Sequence, residues 1–468
     1  MLKRTAPLRY AYHVAVTHPH EPRLLLLPGT TGWRLPHFHA DERHVWQEVA
    51  HVNQGLHVAL GVPATTLRCL AIDYERDAEL VSRLYAAILR DPAWRPPPGA
   101  RWVAHAELSV LPLAVEGHRR PLADWLAWYA DEPVPRQRAP WYLPGWYEAA
   151  VRWTSEQLHA AGLPPTGPAQ QLRSWQRSAI LRLPTTAGPV YLKAVPPISG
   201  HEPALTAALA AADPTRVARP IAVDRARGWL LMHEVRGPTL DTRCDDVARW
   251  EGALAAYAEV QIASAARLAE LRAVGVPERP LAGLVARLAP LLADPAATLP
   301  GRPAGLSTRE LAQLRALASR LATLVEQLAA AGLPATLEHG DFWAGQVVVT
   351  DTGFAFLDWS DSAISHPFFS LLLFMVEIED FFPRAPGVRE RLRDAYLRPW
   401  RTVAPSVDLT AAFELAQPLA ALHHASIYHG VVLPNIELKW ELELMLPFYL
   451  KMAVRLAQPF LEGSYPPC

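Results

Sequence analysis

Asp341 and Asp358 are the residues whose type and spacing most directly permit chemistry. They stand in "LEHGDFWAGQVVVTDTGFAFLDWSDSAISHPF", Leu337 to Phe368. The runs QVVV and FAFLDW read as two short strands around the turn TDTG, a hairpin inside a helical region. Asp341 lies on the loop before the first strand and Asp358 ends the second. Antiparallel pairing puts the entry of one strand beside the exit of the other, with the Gln346 amide on the same rim. Carboxylate and amide oxygens at a strand end suit Mg²⁺, which prefers one or two carboxylates plus substrate phosphates. Upstream, Lys193 lies within the apolar run VYLKAV and Glu202 begins the following helix. A buried ammonium must find a carboxylate or phosphate, because leaving it unpaired is costly. Lysine is scarce in this chain, present only as Lys3, Lys193, Lys439 and Lys451, so its placement in a strand is informative. Strand lysine, helix glutamate and two downstream carboxylates around a metal are the parts of an ATP-phosphate clamp.

These residues carry a family resemblance. His339-Gly340-Asp341, then Gln346, a short hairpin, Asp358-Trp359 and the later HPF resemble the signature of aminoglycoside phosphotransferases and choline kinases. In that branch of protein-kinase-like enzymes the pattern is His-Gly-Asp, four residues, Asn, a hairpin, then Asp before an apolar residue. The resemblance runs back through VYLKAV, HEPALTAALA and WLLMHEVRGPTL, and covers about two-thirds of the chain from Trp141 onward. It implies an α+β, two-lobed protein-kinase-like fold, with a small strand-rich N-lobe and a mainly helical C-lobe. It also implies ATP and Mg²⁺ as cofactors and a hydroxyl of a small molecule as acceptor. By the same resemblance Asp341 orients the acceptor hydroxyl and takes its proton, while His339 orders the loop. Asp358 holds Mg²⁺, with Gln346 as a second ligand; Lys193, positioned by Glu202, contacts the α/β-phosphates. The chain at Met232, His233 and Val235 meets the adenine through its backbone.

Three departures stand out. Gln346 replaces the usual Asn and adds a methylene, Ser370 stands where the family often has Asp, and no Gly-rich phosphate loop is evident between Gln171 and Tyr191. Gln346, together with a degraded Nudix-like segment near the N-terminus, motivates an alternative reading, a nucleotide-binding pseudokinase acting as sensor or scaffold.

The elements that must position these residues fall into regions of different texture. Residues 1–132 carry short apolar runs (YAYHVAV, RLLLLPG, TLRCLAIDY) and a helical pattern from Val45 to Leu60, an α+β domain. A proline-rich linker is expected at 133–144. The N-lobe is expected at 145–235, opening with the amphipathic helix GWYEAAVRWTSEQLHAAGLP and continuing with hairpins turning at Thr185–Pro189 and Asp224–Gly228. The helical C-lobe is expected at 236–468. Within the first region, Gly32 to Val62 resembles a Nudix box in outline. The positions of its metal-binding Arg-Glu-apolar-x-Glu-Glu segment hold Gln54, Gly55, Leu56, His57, Val58 and Ala59. Hard cations need oxygen ligands, so this Nudix-like domain is expected to be non-catalytic.

Composition narrows the remaining classes. At 468 residues the chain exceeds a single core. A formal net charge of −1 gives no global pull toward nucleic acid or anionic membrane. No apolar run approaches the roughly 20 residues of a transmembrane helix. The N-terminus shows no signal-peptide pattern, and cytoplasmic residence is the expectation. Cys69, Cys244 and Cys468 form neither a disulfide framework nor zinc-ligand spacing. His37, His39 and His44 read as surface histidines, and His423, His424 and His429 as helix-packing residues, with acceptor contact as the alternative. Glu377, Glu379 and Asp380 form an acidic stretch on the expected acceptor side. A small-molecule acceptor is the expected partner; oligomeric state is left open.

Overall fold

Period-2 patterning supplies the strands and caps supply the helix ends in this computed structural model, which describes residues 8–130, 133–242 and 246–462. Cys244 and Cys468, and the side chain of Glu379, fall outside the described residues. The chain divides into two compact units, Met1–Pro196 and Pro197–Cys468. It is α+β throughout, as expected.

In the first unit, β1 (Arg9–Val16), β2 (Arg23–Leu26), β3 (His37–Ala40) and α1 (Ala50–Leu60) precede β4 (Ala64–Glu75), β5 (Leu80–Leu89) and β6 (Arg101–Ala104). One sheet has the order β3-β1-β5-β4, with β1 and β5 parallel and the other neighbours antiparallel. Strands β2 and β6 pair separately. A short α2 (His105–Leu108) leads to α3 (Arg119–Tyr129). Leu122, Trp125 and Leu126 of α3 are buried in a core with Leu24, Leu67, Leu84 and Val103. The Trp125 indole donates to Thr17 Oγ1 at 2.9 Å, satisfying the one polar atom that this ring buries. Helix α1 begins five residues later than the Val45 start expected, after Val49.

Helix α4 (Trp146–Ala160) ends before Gly162, whose φ of +70° is a left-handed helix stop. Strands β7 (Gln170–Trp175), β8 (Ser178–Thr185) and β9 (Gly188–Ala194) follow as an antiparallel meander. Strand β7 is tied to the N-terminal sheet. Gln171 Oε1 accepts from Thr66 N and Asn53 Nδ2, both at 3.0 Å, while its Nε2 donates to Thr66 O at 2.9 Å. Ser174 Oγ donates to Leu67 O at 2.6 Å. Between these parts, the proline-rich join buries Trp141, whose indole donates to Trp175 O at 2.8 Å.

The second unit opens with α5 (Glu202–Ala212) and the hairpin β10 (Pro220–Asp224) to β11 (Trp229–His233). Helix α6 (Val247–Ala265) starts where the Asp246 side chain accepts from Arg249 N, an N-cap. Helices α7 (Leu268–Ala273), α8 (Leu284–Ala293) and α9 (Thr308–Ala330) follow, the last opened by a Ser307/Glu310 capping box. Next come β12 (Thr336–Glu338), β13 (Val347–Thr350), β14 (Gly353–Phe356) and β15 (Ala363–Ser365), then α10 (Leu371–Phe381), α11 (Val388–Val403), α12 (Leu409–Ile427) and α13 (Met445–Leu461). Trp250 of α6 is fully buried among Phe374, Phe381 and Phe382. Among the described residues, no helix is long and apolar enough to cross a membrane.

Candidate active site

The expected hairpin is present: β13 and β14 pair antiparallel from Val347 opposite Phe356 to Thr350 opposite Gly353, around the TDTG turn. Strand β12 runs into the loop that carries Asp341 and pairs with β15 from Thr336–Ser365 to Glu338–Ala363. Three contacts tie together the loop, the two ends of the hairpin and the segment that follows it. His339, fully buried, bonds through Nε2 to the carbonyl of Leu357, the residue before Asp358, at 2.9 Å. Leu357 N donates to Gln346 O, also at 2.9 Å. Gly340 sits with φ of +82° so close to the Asp361 backbone that a Cβ there would lie 2.3 Å from the Asp361 carbonyl oxygen. Only glycine fits that approach and that conformation.

Asp341 and Asp358 are thereby carried by segments locked to one another. Asp358 has a left-handed backbone, φ +60°, a region that Asp tolerates better than most residues. Burial pushes the His339 imidazole below its ordinary value, with Asp358 acting in the opposite direction. A neutral ring bonded to a carbonyl orders the loop.

The loop also rests on polar groups from distant elements. Ser370 Oγ accepts from His339 N at 3.0 Å, and it is bonded by Tyr257 Oη at 2.8 Å and Gln261 Nε2 at 3.2 Å. Gln261 Nε2 further donates to the carbonyls of Pro367 and Leu337, while its Oε1 accepts from Tyr396. Glu338, wholly buried, accepts from Gly340 N through Oε1 at 2.8 Å. Among the described residues its Oε2 has no hydrogen-bond partner, His423 Nε2 lying 3.7 Å away. Burial raises this carboxyl above the usual carboxylate range. Ser370 was visible in the sequence as a departure; Tyr257, Gln261 and Glu338 were not singled out. A Glu two residues before a tight Gly was the available signal for Glu338.

The remaining candidates are placed as follows. Lys193 is buried on β9 of the first unit, opposite Ile180 of β8. In the second unit, Glu202 is buried in the first turn of α5. Met232 and His233 end β11, half-buried, and His233 N donates to Arg219 O at 3.0 Å. Val235 follows in the segment that reaches the hairpin, where Val349 N donates to Pro238 O at 2.9 Å. Gln346 closes a single 3₁₀ turn, Ala344–Gln346, immediately before β13. Among the described residues, no group of three or more His, Cys, Asp or Glu side chains could hold a metal by itself. The oxygen donors of Asp358 and Gln346 suit Mg²⁺, which takes its other ligands from phosphates and water.

A model described as the phosphotransferase enzyme family matches residues 167–406, just over half of the chain. The chain belongs to that family. Among solved structures, a choline/ethanolamine kinase family protein from Mesorhizobium loti is similar at 16% identity, covering 67% of this chain and 96% of its own, with TM-score 0.46. A choline kinase from Cryptosporidium parvum is similar at 11% identity, covering 64% and 91%, with TM-score 0.47. A spectinomycin phosphotransferase, solved with ADP and spectinomycin, is similar at 12% identity, covering 65% and 97%, with TM-score 0.39. No curated protein matches the chain.

Proposed function

We propose that this phosphotransferase is ATP- and Mg²⁺-dependent and that its acceptor is a hydroxyl group of a small molecule. The observation that carries the reading is the lock between the two acidic segments, His339 Nε2 on the Leu357 carbonyl. It fixes the residue that would take a proton relative to the residue that would hold a metal. Transfer of this kind needs mainly positioning and charge neutralisation. In the proposed reaction the acceptor oxygen attacks the terminal phosphorus of ATP and the bond to the β,γ-bridging oxygen breaks. ADP leaves, and the hydroxyl proton passes to the Asp341 carboxylate. Asp358 and Gln346 would hold Mg²⁺, which neutralises the phosphate charge. Lys193 is assigned to the α/β-phosphates, Glu202 to the orientation of Lys193, and the backbone of Met232, His233 and Val235 to adenine.

The test separates the two aspartates. Asp358→Ala is expected to abolish Mg²⁺-dependent thermal stabilisation by ATP. Asp341→Ala is expected to keep that stabilisation and to lose roughly 10²-fold or more in turnover, the usual contribution of a general base. Turnover is measured over amino alcohols, aminoglycosides, macrolides and sugars. Full activity in Asp341→Ala would remove its assigned role.

A pseudokinase reading is favoured by one observation, Gln346 in place of Asn on a backbone held by Leu357. Gln346→Asn decides it. Strong activation would mark the native site as detuned, whereas unchanged turnover would make Gln a competent ligand.

A further inference from the structure

We propose that the first unit contains a separate binding site for a small phosphorylated molecule, centred on Arg90. A cavity of about 390 Å³ opens between α1 and the segment leading into β7. Its polar lining includes Asn53, Gln54, His57, Arg90, Tyr147 and Gln170, and none of its lining residues is Asp or Glu.

Arg90 is held there by an aromatic ring instead of a counter-charge. Its guanidinium lies 4.5 Å from the centroid of the Tyr147 ring. Nη1 donates to Tyr147 Oη at 2.6 Å, and that hydroxyl donates in turn to Ala169 O at 2.6 Å. The tyrosine proton is thus committed to Ala169, which leaves the oxygen to accept from Arg90. Nε is buried without a partner, and among the described residues no carboxylate forms an ion pair with this guanidinium. Among the described residues the guanidinium has one side-chain hydrogen-bond partner, Tyr147, reached through Nη1. A fixed cation without a counter-charge is unfavourable in a partly desolvated place, and an incoming anion relieves that cost.

The planar guanidinium matches two oxygens of a phosphate or carboxylate. One further observation favours phosphate. The exposed amides of Gln54 and Gln170 supply donors separate from Arg90, and a phosphate presents three oxygens to spread among them. The volume exceeds what one inorganic ion fills, leaving room for an organic portion. Asn53 and Gln171 are committed to each other and to Thr66, so they form a rigid wall. This assignment stands on the first unit alone and does not depend on the phosphotransferase chemistry.

The experiment titrates the full chain with pyrophosphate by calorimetry, with EDTA present to remove metal-dependent binding at Asp358. One saturable site is expected, and its affinity should fall at least tenfold in Arg90→Met and in Gln54→Glu. Gln54 is exposed on α1, so the second variant adds a repelling charge without touching the core; an unchanged melting temperature without ligand checks this. Absence of saturable binding in the wild type, or wild-type affinity in either variant, would overturn the proposal. Tighter binding of citrate than of pyrophosphate would overturn the phosphate assignment.

Discussion

Glu338 is one of the residues that hold the acidic loop in place. Its Oε1 accepts the Gly340 N–H while its whole side chain is out of water. Glu338→Gln keeps an acceptor oxygen and removes the charge question, and it should retain most of the turnover. Glu338→Leu leaves the Gly340 N–H unsatisfied, at a cost of about 1–3 kcal/mol, and should lower turnover at least about tenfold. Equal activity in the two variants would rule out this positioning role. The sign of the pH effect is fixed by the raised carboxyl. Stability from Glu338 is complete below the ordinary carboxylate range and is lost as pH rises through the raised value; Glu338→Gln should flatten that limb. The hairpin beside the acidic loop was legible in the sequence because its alternation and turn residues lie close together along the chain. The supports of the loop were not: Ser370 and Gln261 meet across 109 residues, and nothing in a local window announces such a contact.

At the scale of elements, hairpins were the most legible. β8–β9 and β13–β14 pair neighbouring segments whose alternation and turn residues lie within a few positions of each other. Strand β5 was harder to see because it pairs in parallel with β1, some 70 residues earlier by register, and carries a buried Arg83 at its centre. That arginine reads as a surface residue in sequence; in the fold its guanidinium lies over Tyr10 and Tyr12. The joint between β7 and the N-terminal sheet was equally silent, since Gln171 looks like an ordinary polar residue of a strand. Gln171→Leu keeps the approximate volume but strips Thr66 and Asn53 of their shared partner. A loss of about 1–3 kcal/mol is expected in urea unfolding; an unchanged midpoint would show that the joint contributes little.

Across the whole molecule, buried neutral histidines set the response to acid. Burial pushes His13, His51 and His366 down to about 3, and His201 and His424 down to about 4. Each takes up a proton on unfolding at a pH where the native chain does not. Stability is therefore expected to be full above the ordinary histidine value of 6.5 and to fall steadily as pH drops toward those lowered values. Melting temperatures between pH 8 and 4 check this, and a flat profile would contradict it. Histidine positions were readable in sequence, but their burial depends on tertiary packing around α12 and β1. The family match begins at residue 167, inside the compact unit that runs from Met1 to Pro196. The family match and the compact unit thus have different boundaries. A recombination event that transplanted only the family segment would leave Gln171 and Ser174 facing water in place of Thr66 and Leu67. The segment from residue 167 to Pro196 is therefore expected to need the N-terminal sheet beside it, and a transplant that keeps the two together should preserve these bonds.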